Sequence, residues 1–139
     1  MTDTINCLDF NRNLVAKMLV DTDCYFDANI FVKRAVPYDQ LREVAEESRR
    51  YKPEDVAVDA VFSLLLQLPS PEHLAVFYHG VLTETCKTAP AAVAPSLGRA
   101  IMEIYKRLDE LDIELYHRFL DWFSHHLSNF GFTWKWAEW

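Results

Sequence analysis

From Pro53 onward, apolar residues recur at three- and four-residue steps, the spacing that puts side chains on one face of an α-helix. The first run holds Val56, Val58, Val61, Phe62, Leu64, Leu65, Leu66 and Leu68, which encircle a helix instead of striping it. Such a helix must be covered on most sides, so it is expected at the centre of the fold. Pro53 suits the first helical turn, where its missing N–H is not needed, and Glu54 and Asp55 face the positive end of the dipole. In the following PSPEH stretch, Ser70 is expected to cap, Pro71 to take the first helical position and Glu72 to complement the dipole. Leu74, Phe77, Tyr78, Val81, Leu82 and Cys86 then mark a one-sided helix lying on a core. TAPAAVAP (88–95) reads as a break, and Leu97, Ala100, Ile101, Ile104, Leu108 and Leu111 predict a helix over 96–111. Asp112 is placed to cap a last long helix reaching about Asn129.

Upstream of Pro53 the pattern weakens. Residues 38–50 are dense in good helix formers, with Leu41, Val44 and Ala45 as a thin apolar stripe. A helix over about Asn13 to Val20 is expected, and the acidic DTDCYFDANIF reads as a loop entering another short helix. Residues 1–35 are therefore read as an N-terminal segment of loop and short helices, and 36–139 as a helical-repeat domain. Short, proline-marked links make successive helices antiparallel neighbours. The predicted class is all-α: stacked antiparallel helical hairpins, a solenoid of the HEAT or ARM kind.

Composition narrows the function. At 139 residues the chain is one domain or part of one, able to bury roughly two-thirds of its unfolded surface. Three glycines leave no phosphate-cradling glycine loop. The formal charge of −7 disfavours direct binding of phosphate backbones by this chain alone. Residues 31–52 carry six Lys/Arg against four Asp/Glu, a small patch read as a solvated helix face. Cys7, Cys24 and Cys86 are odd in number and lack CxxC spacing, so they read as reduced, buried thiols. The start, MTDTINCLDFNR, has no basic-then-apolar pattern and is not read as a signal peptide. The longest apolar run is broken by Asp59, Ser63 and Gln67, too short to span a bilayer, so no membrane partner is expected.

The last eighteen residues, WFSHHLSNFGFTWKWAEW, carry the remaining candidate chemistry. At 100° per residue, Leu115, Tyr116, Phe119, Leu120, Trp122, Phe123, Leu127 and Phe130 fall on one arc of about 160°. Glu114, His117, Asp121, Ser124, His125 and Ser128 lie opposite. His117, Asp121 and His125 are four residues apart and line one stripe, a spacing that suits Zn²⁺ or a similar ion. A solvated helix face explains the same three residues without a metal, and no further ligand cluster supports one, so no metal or other cofactor is expected. His126 falls inside the apolar arc and reads as a packed imidazole. No nucleophile elbow or paired-acid signature is present, so no catalytic residue is assigned.

After Asn129 the pattern alternates. Phe130, Phe132, Trp134 and Trp136, with Trp139 following, predict an extended strip that leaves the helix at Asn129-Phe130-Gly131, where Gly or Asn can take a left-handed cap conformation. Aromatics can stack nucleobases, yet stacking sites interleave with Arg and Lys, and only Lys135 is here. Phe132, Trp134, Trp136 and Trp139 are therefore expected to dock into the helical stack or against a partner protein.

These residues also carry a resemblance. The run from Asp121 to Phe130, then Phe132, Trp134, Trp136 and Trp139, is similar to a signature of the large subunit of the nuclear mRNA cap-binding complex. Leu66 to His73, Leu82 to Lys87 and Ile104 to Asp109 look like the same family, with a fungal flavour, and together the matches span about residues 53–139. The resemblance implies an α-helical solenoid of the type shared with the middle domain of the translation initiation scaffold. It places this stretch in the first part of the second of three such domains, truncated at its C-terminal side, with the end exposed, frayed or covered by another copy. It further implies a non-enzymatic scaffold that stabilises a small cap-binding subunit of RNA-recognition fold, meets capped RNA through that subunit, and recruits processing, export and decay factors. The implied location is the nucleus, with shuttling to the cytoplasm. The alternative is a helical-repeat protein–protein adaptor unrelated to RNA.

Overall fold

The computed structural model describes residues 1–41 and 51–133. Among them the regular elements are helical: α1 (Thr2–Cys7), α2 (Arg12–Val20), α3 (Pro53–Leu65), α4 (Ala75–Thr88), α5 (Pro90–Lys106) and α6 (Ile113–Asn129). Short 3₁₀ turns cover Thr22–Tyr25, Tyr38–Gln40 and Leu108–Glu110. The helix expected over 38–50 lies mostly outside the described residues.

The helices form two rows. α1 packs on α3 and α3 on α5; α2 packs on α4 and α4 on α6; within the middle pair, α3 packs on α4. Three successive pairs thus stack on one another, the all-α hairpin solenoid that the helical periodicity predicts. One core runs through the stack: Ile5, Val15 and Leu19 join Val61, Leu65, Tyr78, Val81, Leu82, Leu97, Ile101, Phe119 and Trp122. The first thirty-five residues supply part of that core.

α3 is the central helix expected, with Ala57, Val58, Ala60, Val61, Phe62, Leu64 and Leu65 buried. It stops at Leu65, and Leu68 is exposed. Pro53 takes the first turn as predicted. Glu54 does more than face the dipole: it is buried and its Oε1 accepts the Ala35 N–H at 2.5 Å, fixing Ala35 in the left-handed region (φ 59°). Buried Lys52 donates to the Val36 carbonyl at 2.6 Å, and Arg34 pairs with Asp21 at 3.0 Å and with Asp23. Those two cations of the basic stretch therefore fasten a loop to the stack and do not form a solvated helix face. Arg34 and Asp23 stabilise each other's charge: the hydrogen bond holds the Asp23 carboxyl below the usual carboxylate range.

Four expectations for α4 and α5 are corrected. α4 begins at Ala75 after an N-cap at Leu74, so Ser70 does not cap it and Pro71 does not take its first position. Residues 66–74 stay irregular because Arg118 and Asn6 take their backbone and side-chain groups. α4 is also not one-sided: Leu74 is 79% exposed, while His79, Thr83 and Thr85 are buried along with Tyr78, Val81, Leu82 and Cys86, since α2, α3, α5 and α6 all pack on it. Finally, 88–95 is no break. Ala89 alone separates α4 from α5, Pro90 starts α5, and Pro95 sits inside it, omitting one ladder hydrogen bond. Burial of Val93, Leu97 and Ile101 outweighs that loss. α5 ends at Lys106, short of the expected residue 111.

The last helix matches its prediction at both ends. The Asp112 side chain accepts the Glu114 N–H at 2.9 Å. At the other end Gly131 has φ +62° and the Phe132 N–H reaches the Leu127 carbonyl at 2.8 Å, a Schellman closure.

Candidate interaction surface

The buried face of α6 is turned relative to the predicted arc. Its buried residues are Arg118, Phe119, Trp122 and His126, centred about 70° from the middle of the apolar arc at 100° per residue. Trp122 sits at the middle, edge-on to Phe62 of α3 at 4.7 Å and 5.3 Å from the His126 ring. The turn leaves the far edge of the arc half covered among the described residues. Tyr116, Phe123 and Leu127 are half-buried and Leu120 is exposed. That edge is an apolar strip facing away from α4.

The same turn redistributes the histidines. His126 is packed as predicted, between Trp122 and Phe130 (4.8 Å). His125, expected on the wet side, is half-buried, and its ring lies 5.1 Å from buried His79 of α4. His117 and Asp121 remain exposed. The stripe of His117, Asp121 and His125 is thus split between solvent and the α4–α6 seam, and among the described residues no group of three His, Cys, Asp or Glu is arranged to hold a metal ion. Burial pushes His79 down to about 4, with repulsion from His125 adding to this and Asp121 opposing it. Burial, then His125, likewise lowers His126 to about 4. Both imidazoles are neutral at pH 7.

Of the aromatic strip, Phe132 is 65% exposed and in the left-handed region (φ 57°), so residues 130–132 form a turn where an extended segment was expected. Trp134, Trp136 and Trp139 lie outside the described residues. Cys86 is buried as expected, whereas Cys7 and Cys24 are exposed thiols, a departure from the expectation of three buried ones.

The feature that sequence reasoning missed is Arg118. Its side chain is 7% exposed, and Nη1 donates to the carbonyls of Leu65 (3.2 Å) and Gln67 (2.8 Å) while Nη2 reaches Pro69 (3.3 Å). Glu114, one turn earlier, pairs with Nη2 at 2.9 Å. The guanidinium collects carbonyl groups left unsatisfied at the end of α3 and through the irregular stretch, so the loop can turn away without leaving buried acceptors unpaired. A sequence signal existed: Arg118 falls about 40° from Trp122 on the wheel, at the arc's edge, four residues after a carboxylate.

The other end of the loop is tied to α1. Asn6 donates to Glu72 at 2.5 Å and accepts from the buried Tyr78 hydroxyl at 2.8 Å. The His73 ring meets the Asn6 carbonyl at 3.0 Å. Held at both ends, residues 66–74 form a rim around a groove of about 540 Å³ lined by Pro69, Pro71, Leu74, Glu114 and Arg118 among others. Leu68, Leu74 and Ile113 stand exposed near it (51%, 79% and 67%). Exposed apolar side chains beside a few carboxylates, on and next to a loop tied at both ends, make a surface suited to protein contact.

Comparison with known proteins agrees with this picture. The family described as MIF4G like matches residues 1–139. The chain is 43% identical to nuclear cap-binding protein subunit 1 of Schizosaccharomyces pombe over 99% of its length, covering 18% of that protein. It is 39% identical to nuclear cap-binding protein complex subunit 1 of Saccharomyces cerevisiae over 99% of its length, covering 16%. The human nuclear cap-binding protein subunit 1 is 44% identical over 59% of the chain. The chain thus spans less than a fifth of the length of the fungal relatives.

Proposed function

The chain belongs to the MIF4G-like family, and on that premise we propose that it forms part of the large subunit of a nuclear cap-binding complex and acts as a non-enzymatic scaffold. In this reading it stabilises a small cap-binding subunit of RNA-recognition fold and meets capped RNA through that subunit. It also offers surface to export and decay factors, works in the nucleus and shuttles to the cytoplasm. The observation that carries the reading is similarity over 99% of this chain to subunits bearing that name, on a fold that exposes apolar groups beside a loop tied at both ends. The 66–73 stretch, one of the family-like runs, is the loop that Arg118 and Asn6 clamp. The half-covered edge of α6 and the strip of Phe132, Trp134, Trp136 and Trp139 supply further contact surface in this proposal. The chain's net acidity supports contact with protein over contact with phosphates.

Co-expression with the small RNA-recognition-fold subunit tests the proposal. A stoichiometric complex on gel filtration is expected. Separate elution of the protein carrying this chain from the small subunit, both folded, contradicts it.

A further inference from the structure

We propose that Ser70 is a phosphorylation site for a proline-directed protein kinase, and that its phosphate takes Arg118 from Glu114. The inference goes beyond the scaffold reading and does not depend on which partner binds.

Ser70-Pro71 is the only Ser-Pro or Thr-Pro step in the chain. It lies at the crest of the irregular 66–74 stretch, and Ser70 is exposed. Protein kinases bind their substrates extended, and Pro71 steers Ser70 away from helical geometry into the extended region. The crest is left open by its anchors. Arg118 holds the carbonyls of Leu65, Gln67 and Pro69 on one side, and Asn6 holds Glu72 and His73 on the other. Among the described residues Ser70 and Pro71 have no hydrogen bond to either anchor. The dipeptide is presented on a fixed base, unlike the buried Thr83 and Thr85 of α4.

The consequence follows from what shares the groove. Ser70 Oγ attacks the γ-phosphorus of ATP, the bond to the β–γ bridging oxygen breaks, ADP leaves, and the hydroxyl proton passes to the kinase's base. A group of about −1.5 to −2 charge then sits one residue from the Pro69 carbonyl, which Arg118 Nη2 already reaches at 3.3 Å. The present anionic partner of that nitrogen is Glu114, whose side chain is 60% exposed and easily rehydrated. A phosphate offers more charge and three acceptor oxygens to the guanidinium fork. Glu114 and Glu72, both lining the groove, oppose a phosphate left unpaired, which favours its capture by Arg118. Phosphorylation thus fastens the crest to α6 and frees the Glu114 carboxylate.

The purified protein is incubated with a proline-directed kinase of the mitogen-activated class and ATP, alongside a Ser70→Ala variant and a free peptide spanning residues 64–76. Site-resolved mass spectrometry is expected to place one phosphate on Ser70 of the folded protein and none there in the variant. Amide exchange over residues 67–72 is then expected to slow several-fold. A folded protein left unmodified at Ser70, whether or not the peptide is modified, overturns the site. Phosphate at Ser70 with exchange unchanged or faster overturns the capture by Arg118.

Discussion

The guanidinium of Arg118 donates to the carbonyl of Gln67 at 2.8 Å, joining the last helix to the loop between α3 and α4. The contact spans fifty-one positions in sequence and explains why 66–74 is irregular yet held. Arg118→Met keeps the apolar stem and removes the donors, leaving up to three carbonyls to find water. It is expected to lower stability by about 3 kcal/mol in urea titration. Glu114→Gln, at a largely exposed partner, is expected to cost under about 1 kcal/mol. Equal losses for the two would show that the clamp works through the ion pair and not through the carbonyls.

The two buried imidazoles give the fold an acid limit. In the unfolded chain His79 and His126 take up protons near 6.5, but in the folded chain only near 4. Between those values the unfolded state binds more protons, so stability is fully present above about 6.5 and falls as pH drops toward 4. The loss amounts to a few kcal/mol across that window. His126→Phe keeps an aromatic ring against Trp122 and removes one of the two groups. Chemical denaturation at pH 7 and pH 5 is expected to show a clearly smaller difference for the variant; an unchanged difference contradicts the assignment.

The turned face of α6 separates stability from surface. Trp122→Ala removes the ring that meets Phe62 and is expected to cost about 3–5 kcal/mol. Leu120→Ala, on the half-covered edge, is expected to cost about 1 kcal/mol or less by the same assay. A Leu120 loss approaching that of Trp122 would restore the symmetric arc.

Two glycines respond in opposite directions. Gly131 has φ +62° and open space where a Cβ would go, so Gly131→Ala is expected to lose about 1 kcal/mol through backbone strain alone. Gly98 is interior to α5, also with open space around a Cβ. Gly98→Ala is expected to gain up to about 1 kcal/mol. Thermal melts distinguish the signs, and a stabilising Gly131→Ala would remove the Schellman closure.

Much of this was legible in the sequence because local chemistry decides it. The Pro53 start, the Asp112 cap, the Gly131 closure and the packed His126 all follow from residues within a few positions of each other. What was not legible depends on residues far apart. Ser70 and Pro71 look like a helix start, yet Arg118 and Asn6 claim their neighbourhood first. The wheel of α6 gives an apolar arc, but its orientation is set by Trp122 meeting Phe62 on another helix. Lys52 and Glu54 look solvated until the loop carrying Ala35 and Val36 folds over them. Pro95 suggests a break that burial of Val93 and Leu97 overrides. The tryptophans of the tail, the most distinctive part of the resemblance, lie outside the described residues.

Retention on a methylated-guanosine cap resin reads out the scaffold role itself. The protein carrying this chain is expected to stay on the resin with the small RNA-recognition-fold subunit present, to pass through without it, and to be released by free cap analogue. Passage through the resin in the presence of a cap-bound small subunit would contradict the account.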